Sequence, residues 1–195
     1  MEKMINLEKD IPHNILVDFW GTLVESKKRD QYWGELFINL QEDEISKREF
    51  LNYWKENWFK SEIDLIKFQS RLKNKFNLKG KYDLLLSTLT DYKNMNFIGE
   101  RLDELSNWVM AKHQVYLVSD CGMDTKEFVE NSELKYLLND EFYSFKYKTT
   151  KDEELYSIVR KEIGKNCIMI GDDYKRDYII PKKYGFDSML VKKPL

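Results

Sequence analysis

Three apolar runs that each end in acid constrain this chain more than any other feature. They are NILVD (14–18), QVYLVSD (114–120) and NCIMIGDD (166–173). A strand with one wet face alternates apolar and polar side chains. An unbroken aliphatic strand is one covered on both faces, as in a parallel sheet. SMLVK (188–192), after a turn at Gly185, reads as a fourth strand, and FYSFKY (142–147) as a fifth. Helical patterns lie between them. FIGERLDELSNWVMAKH (97–113) sets Leu102, Leu105, Trp108 and Val109 at helical spacing. KDEELYSIVRKEIGK (151–165) does the same with Leu155, Ile158, Val159 and Ile163, and Gly164 is its stop signal. Strands alternating with helices predict an α/β fold with a doubly wound, Rossmann-like parallel sheet.

Residues 26 to 95 break that alternation. QYWGELFINL, KREFLNYWKENWFK and EIDLIKFQSRLKNKF are amphipathic and rich in lysine and aromatic residues, with no strong strand among them. They predict a small helical cap inserted after the first strand, with residues 1–25 and 96–195 forming the core. A chain of 195 residues has room for one good core and such an insertion. Trp33, Trp54 and Trp58 read as the interior of this cap.

The bulk numbers exclude several classes. A formal net charge of −2 gives no basic field to gather nucleic acid. No run approaches the roughly 20 apolar residues of a membrane span. The charged start MEKMINLEKDIPHN lacks the apolar stretch of a secretory signal. Cys121 and Cys167 lie far apart with no paired spacing, which fits small buried groups in a reducing compartment. His13 and His113 flank strands and read as structural. The expectation is a cytoplasmic protein, and its oligomeric state is open.

Ligands of open α/β sheets bind beyond the carboxyl ends of the strands. Those ends carry Asp18, Ser119 with Asp120, and Asp172 with Asp173. If the three strands are neighbours, these groups meet at one rim. Crowded carboxylates repel and raise one another's pKa, and a divalent cation relieves them. Oxygen ligands without His or Cys favour magnesium. An aspartate beside such a cation suits nucleophilic attack on a phosphoryl group, so the expected substrate is a small phosphorylated molecule.

DFWGTL, then LVSD, then a lysine, then GDDYKRD resembles, in this order, the four motifs of the haloacid dehalogenase-like (HAD) hydrolase superfamily. The resemblance spans about residues 14 to 191. It places the helical insertion where that superfamily carries a cap. It implies that Asp18 is nucleophile and metal ligand, and that Trp20 lends its backbone carbonyl to the metal. Gly21 and Thr22 shape the turn and line the substrate site with Trp20, Ser119 and Asp120. Ser119 hydrogen-bonds a phosphoryl oxygen. Asp172 is a metal ligand, with Asp173 or Asp177 ligating or orienting. Lys151 is the preferred cation, with Lys146 and Lys148 as rivals.

Trp20 departs from the pattern. In related phosphatases an aspartate here protonates the leaving group and then activates water, whereas an indole has no titratable proton near neutral pH. Three readings follow: a magnesium-dependent phosphatase or phosphotransferase with this acid–base residue replaced; a hydrolase of carbon–halogen or carbon–phosphorus bonds; or a weak or silent member that binds or regulates.

Overall fold

A computed structural model describes residues 14–25, 29–90 and 95–191. The charged N-terminal stretch and His13 lie outside the described residues, and both expected cap boundaries fall at the edge of undescribed segments. Among the described residues no helix is long and apolar enough to cross a membrane.

The first strand, β1 (Asn14–Val17), enters a tight loop that ends in β2 (Val24–Glu25). The chain then runs through α1 (Arg29–Glu42), α2 (Lys47–Trp54), a π-type turn (Lys55–Phe59), α3 (Leu65–Phe76) and α4 (Asp83–Thr90). It returns through β3 (Asn96–Phe97) and α5 (Arg101–Met110) to β4 (Gln114–Ser119). After α6 (Met123–Glu130) and α7 (Leu134–Leu137) come β5 (Asp140–Tyr143), α8 (Ser144–Tyr147) and α9 (Leu155–Ile163). β6 (Cys167–Gly171), a π-type turn (Tyr174–Ile179), α10 (Ile180–Lys183) and β7 (Asp187–Leu190) complete the described fold.

The main sheet has five parallel strands in the order β5-β4-β1-β6-β7. The three acid-tipped strands are therefore adjacent. Successive side chains of β1 go to opposite faces: Ile15 and Val17 join Leu105, Trp108, Val115 and Leu117, while Leu16 joins Val118, Phe142, Tyr156 and Met169. Ile15, Leu16 and Val17 are fully buried. Each contributes about 1.5–3 kcal/mol of apolar burial, and the strand's polar residue, Asn14, stands at its half-buried start, donating to the Ile163 carbonyl at 3.3 Å.

The helical insertion has its own apolar interior, from Leu36 and Leu40 through Phe50, Trp54 and Phe68 to Leu89. After the turn at LKGKYD (78–83) it continues into α4. Its exit and return are tied together: β2 pairs antiparallel with β3, and the Ile98 N–H donates to the Leu23 carbonyl at 2.9 Å. Trp58 of the π-type turn packs onto the core at Gly122, where an added Cβ would lie 2.0 Å from the indole Cε2.

Two local expectations shift. FYSFKY is strand only as far as Tyr143. There Ser144 accepts from the Cys121 N–H at 3.0 Å and donates to the Cys121 carbonyl at 3.2 Å, and the chain turns into α8. Lys151 does not open a helix; it lies in the turn before α9, four residues ahead of Leu155.

Candidate active site

The Asp18 N–H donates to Ile170 O at 2.9 Å, fixing the tip of β1 against β6. The next turn is tight: the N–H groups of Leu23 and Val24 both donate to the Phe19 carbonyl at 3.0 Å. Gly21 serves it in two ways. Its φ of +76° is the left-handed region that glycine enters at little cost. A Cβ there would also sit 2.4 Å from Asp172 Oδ2, so only glycine lets this loop approach the tip of β6 so closely. Gly171 does the same for Asp177.

Three carboxylates result. Asp18, Asp172 and Asp177 each present an oxygen within 4.8 Å of the others. Asp18 and Asp177 are buried, and both accept from the Lys151 ammonium, Asp177 at 2.7 Å. Burial works against that ammonium, but Asp177 and Asp18 outweigh it and hold Lys151 charged, well above the usual lysine range. One ammonium bonds both carboxylates but carries charge for only one of them. Burial pushes the Asp18 carboxyl up to about 7 against the pull of Lys151, with Asp177 and Asp172 adding their repulsion.

Surrounding groups hold the lysine's loop. Asp120 Oδ1 accepts from the Lys151 N–H at 2.9 Å, and Asp120 Oδ2 lies 3.5 Å from Arg176. Tyr156 donates its hydroxyl to the Arg176 carbonyl at 2.9 Å, beside Asp177. The buried Ser119 hydroxyl has no hydrogen-bond partner of normal geometry among the described residues, nor does that of Thr22.

The expected site residues thus meet at one rim, with one division among them. Asp173 is turned from the cluster: its Oδ1 accepts from the N–H groups of Lys175 and Arg176, and its Oδ2 from the Arg176 guanidinium. Asp177 takes its place, one turn further on. Of the three candidate lysines only Lys151 is buried in the cluster; Lys146 and Lys148 are exposed.

Above this floor lies a cavity of about 750 Å³. Trp20, Trp33, Phe59 and Ile98 line its apolar part, and Glu25, Lys175 and Arg176 add polar groups. Trp33 and Phe59 come from the helical unit. Sequence reasoning missed Phe59 and placed Trp33 in the interior, because helical spacing says that a face is buried but not against what.

Glu153, two residues after Lys151, joins the helical unit to the core. Its Oε1 pairs with Lys60 at 2.7 Å and Lys55 at 3.1 Å, and its Oε2 accepts from the Thr149 hydroxyl and the Thr150 N–H, each at 3.3 Å. Against a burial penalty, the hydrogen bonds from Lys60 and Lys55 bring its carboxyl down to about 2.

No protein-family model matches the sequence, and no curated protein matches it. Solved structures do match its fold. A HAD family enzyme of Bacteroides thetaiotaomicron, in complex with magnesium and inorganic phosphate, superposes with a TM-score of 0.68 at 18% identity over 95% of this chain and 96% of its own. A protein of Porphyromonas gingivalis, described as a predicted HAD-like family hydrolase, gives 0.69 at 13% identity over 94% of this chain and 93% of its own. The L-2-haloacid dehalogenase of Xanthobacter autotrophicus gives 0.63 at 13% identity over 93% of this chain and 78% of its own. At such identities the likeness speaks for architecture alone: this chain has the fold of these HAD structures.

Proposed function

We propose that this chain is a magnesium-dependent phosphohydrolase that works through an aspartyl-phosphate on Asp18. The arrangement that carries the reading is Asp18 held against a buried ammonium, with Asp172 and Asp177 completing an all-oxygen triad within 4.8 Å. An all-carboxylate donor set short of positive charge fits a small hard cation, and Asp18, Asp172 and Asp177 would hold it. Bound there, magnesium would neutralise charge on the phosphoryl oxygens and on the nucleophile.

The protein groups take these roles. Asp18 attacks phosphorus in line with the leaving oxygen. Lys151 steadies the charge that spreads over the transferred group, in a site too dry for water to do so. The Ser119 hydroxyl donates to a phosphoryl oxygen. Asp120 and Tyr156 keep Lys151 and the 174–177 turn in register, and Asp173 shapes that turn rather than holding metal. Water then releases phosphate from Asp18. The helical unit closes the cavity as a cap, with its boundaries near residues 26 and 95.

The test is phosphate release with magnesium, chelator and Asp18→Asn. Activity should need the cation and fall at least about a thousandfold in the variant, as expected when a nucleophile is removed. Full activity in Asp18→Asn sinks the assignment. The aromatic residue at position 20 favours one other reading, carbon–halogen cleavage, marked by halide release that persists with chelator. Binding of magnesium and phosphate without turnover of any substrate would point to a regulatory or binding role.

A further inference from the structure

Resting on the phosphohydrolase reading, we infer that the substrate is a monophosphate ester of a flat aromatic alcohol, one whose oxygen departs as an aryloxide. Two independent observations converge on this class.

The first is the set of acids in the cavity. Asp18 is bound to Lys151. Asp177 accepts from Lys151 at 2.7 Å and from the Asp173 N–H at 3.1 Å. Asp120 and Asp173 are engaged by the Lys151 N–H and by Arg176. Asp172 belongs to the triad, and Glu25, the remaining acid that lines the cavity, stands at the end of β2 outside that triad. Trp20, two residues after the nucleophile, lines the same cavity with an indole that can give no proton to a leaving oxygen. An alkoxide leaves slowly without a proton; a phenoxide, far less basic, does not need one.

The second is the surface the cavity leaves uncovered. Three half-buried rings, Trp20 from the core and Trp33 and Phe59 from the cap, face it beside Ile98. Trp33 is braced edge-on by Trp54 at 5.0 Å, and Trp20 stands edge-on to Phe19 at 5.4 Å. Braced rings around a cavity of about 750 Å³ suit a flat apolar group, which stacks or packs edge-on at little entropic cost. The acidic floor orders the ligand: phosphate goes down to Asp18 and Lys151, and the ring goes up among the aromatics.

The step balances. The Asp18 oxygen forms a bond to phosphorus as the bond to the aryl oxygen breaks, and the aryloxide leaves with that electron pair. Water then displaces Asp18 from phosphorus. One water proton stays on phosphate as its hydroxyl, and the other ends on the aryloxide.

The experiment is a leaving-group series with magnesium on wild type, Trp20→Asp, Trp33→Ala, Phe59→Leu and Glu25→Gln. Phenyl phosphate should exceed benzyl phosphate in kcat by about 10²–10⁴, the usual worth of a positioned acid. Benzyl phosphate should still bind, inhibiting with a constant within about tenfold of the KM for phenyl phosphate, since it keeps the ring and loses only the good leaving group. Trp20→Asp should raise benzyl phosphate turnover. Phe59→Leu, which keeps an apolar filling, and Trp33→Ala should each lower the ratio of kcat/KM for phenyl over acetyl phosphate about tenfold. Equal kcat for benzyl and phenyl phosphate in wild type overturns the inference, and its loss in Glu25→Gln would name Glu25 as the proton donor. Hydrolysis of acetyl phosphate with no preference for aryl esters also overturns it, yet leaves the phosphohydrolase reading standing. Release of phosphate from none of the series sinks that reading itself.

Discussion

On one side of the 149–153 loop Lys151 is buried with Asp18 and Asp177; on the other, Glu153 meets Lys55 and Lys60 at the half-exposed seam with the helical insertion. The first group has two carboxylates to one ammonium, with Asp172 close by, and its lysine is 3% exposed. The second has two ammoniums to one carboxylate, and the Glu153 side chain is 35% exposed. Excess charge in a dry interior is costly and calls for a counter-ion. Excess charge at a wetted seam is screened and costs little to part. The contrast separates a buried cluster with unbalanced negative charge from a seam whose ion pairs are half exposed.

The largest break in that comparison is Lys151→Met. It fills similar space but removes the one cation between buried carboxylates. Loss of one partner from a buried pair typically costs about 3–5 kcal/mol. The variant should unfold at markedly lower urea without metal, and magnesium should recover part of the loss. Unfolding identical to wild type without metal would show that the ammonium does not compensate the cluster.

Asp18 gives the comparison a pH signature. Its carboxyl is raised from 3.8 to about 7 by burial. Between those values the unfolded chain is ionised there while the fold holds the proton, so stability falls as pH rises through the window. Below it both states carry the proton and the contribution is fully present. Asp18→Asn removes the term. Without metal, its stability advantage over wild type should therefore widen from about pH 4 to 7, by at most about 1.4 kcal/mol per unit, and then level off. Magnesium should narrow the gap above pH 7 by favouring the ionised wild type. A gap that stays flat across the window breaks the account.

The seam has an apolar half as well. Gly122→Ala would drive a methyl into Trp58, at 2.0 Å from Cε2. Overpacking of this kind costs about 1–3 kcal/mol, read in a thermal melt, and Trp58→Leu in the same chain should restore part of it.

The convergence of the strand tips was legible because its signals are local. Asp18, Ser119 and Asp172 each follow an aliphatic run, and the sheet order then makes them neighbours. Asp172 and Asp173 look alike in sequence; the turn geometry separates them, giving one to the triad and the other to Arg176. Lys151 could not be told from Lys146 or Lys148 by spacing, because the distinction is burial. The helical insertion was legible only in kind. Its helices showed in their periodicity, but Glu153 meets Lys60 and Lys55 across 93 and 98 residues of chain, and nothing local announces such a pair. Tyr143 and Ser144 misled for a related reason: the bond that bends the chain there reaches back to Cys121.

The smallest effect tests whether the two clusters communicate through their shared loop. Glu153→Gln keeps a carbonyl oxygen for the Thr149 hydroxyl and Thr150 N–H while losing the charge that holds Lys55 and Lys60. An exposed pair is worth under about 1 kcal/mol, so the melt should move little at low salt and not at all near 1 M, where screening acts within about 3 Å. Glu153→Ala removes both halves. If Glu153 only steadies the seam, the two variants should match in kcat for an activated phosphate ester. If its Oε2 also fixes the turn that carries Lys151, kcat should fall in Glu153→Ala and recover in Glu153→Gln, with KM nearly equal in both. The second result is expected, because the hydrogen bonds to Thr149 and Thr150 lie within two residues of the buried ammonium, whereas Lys55 and Lys60 of the helical insertion pull on the other oxygen.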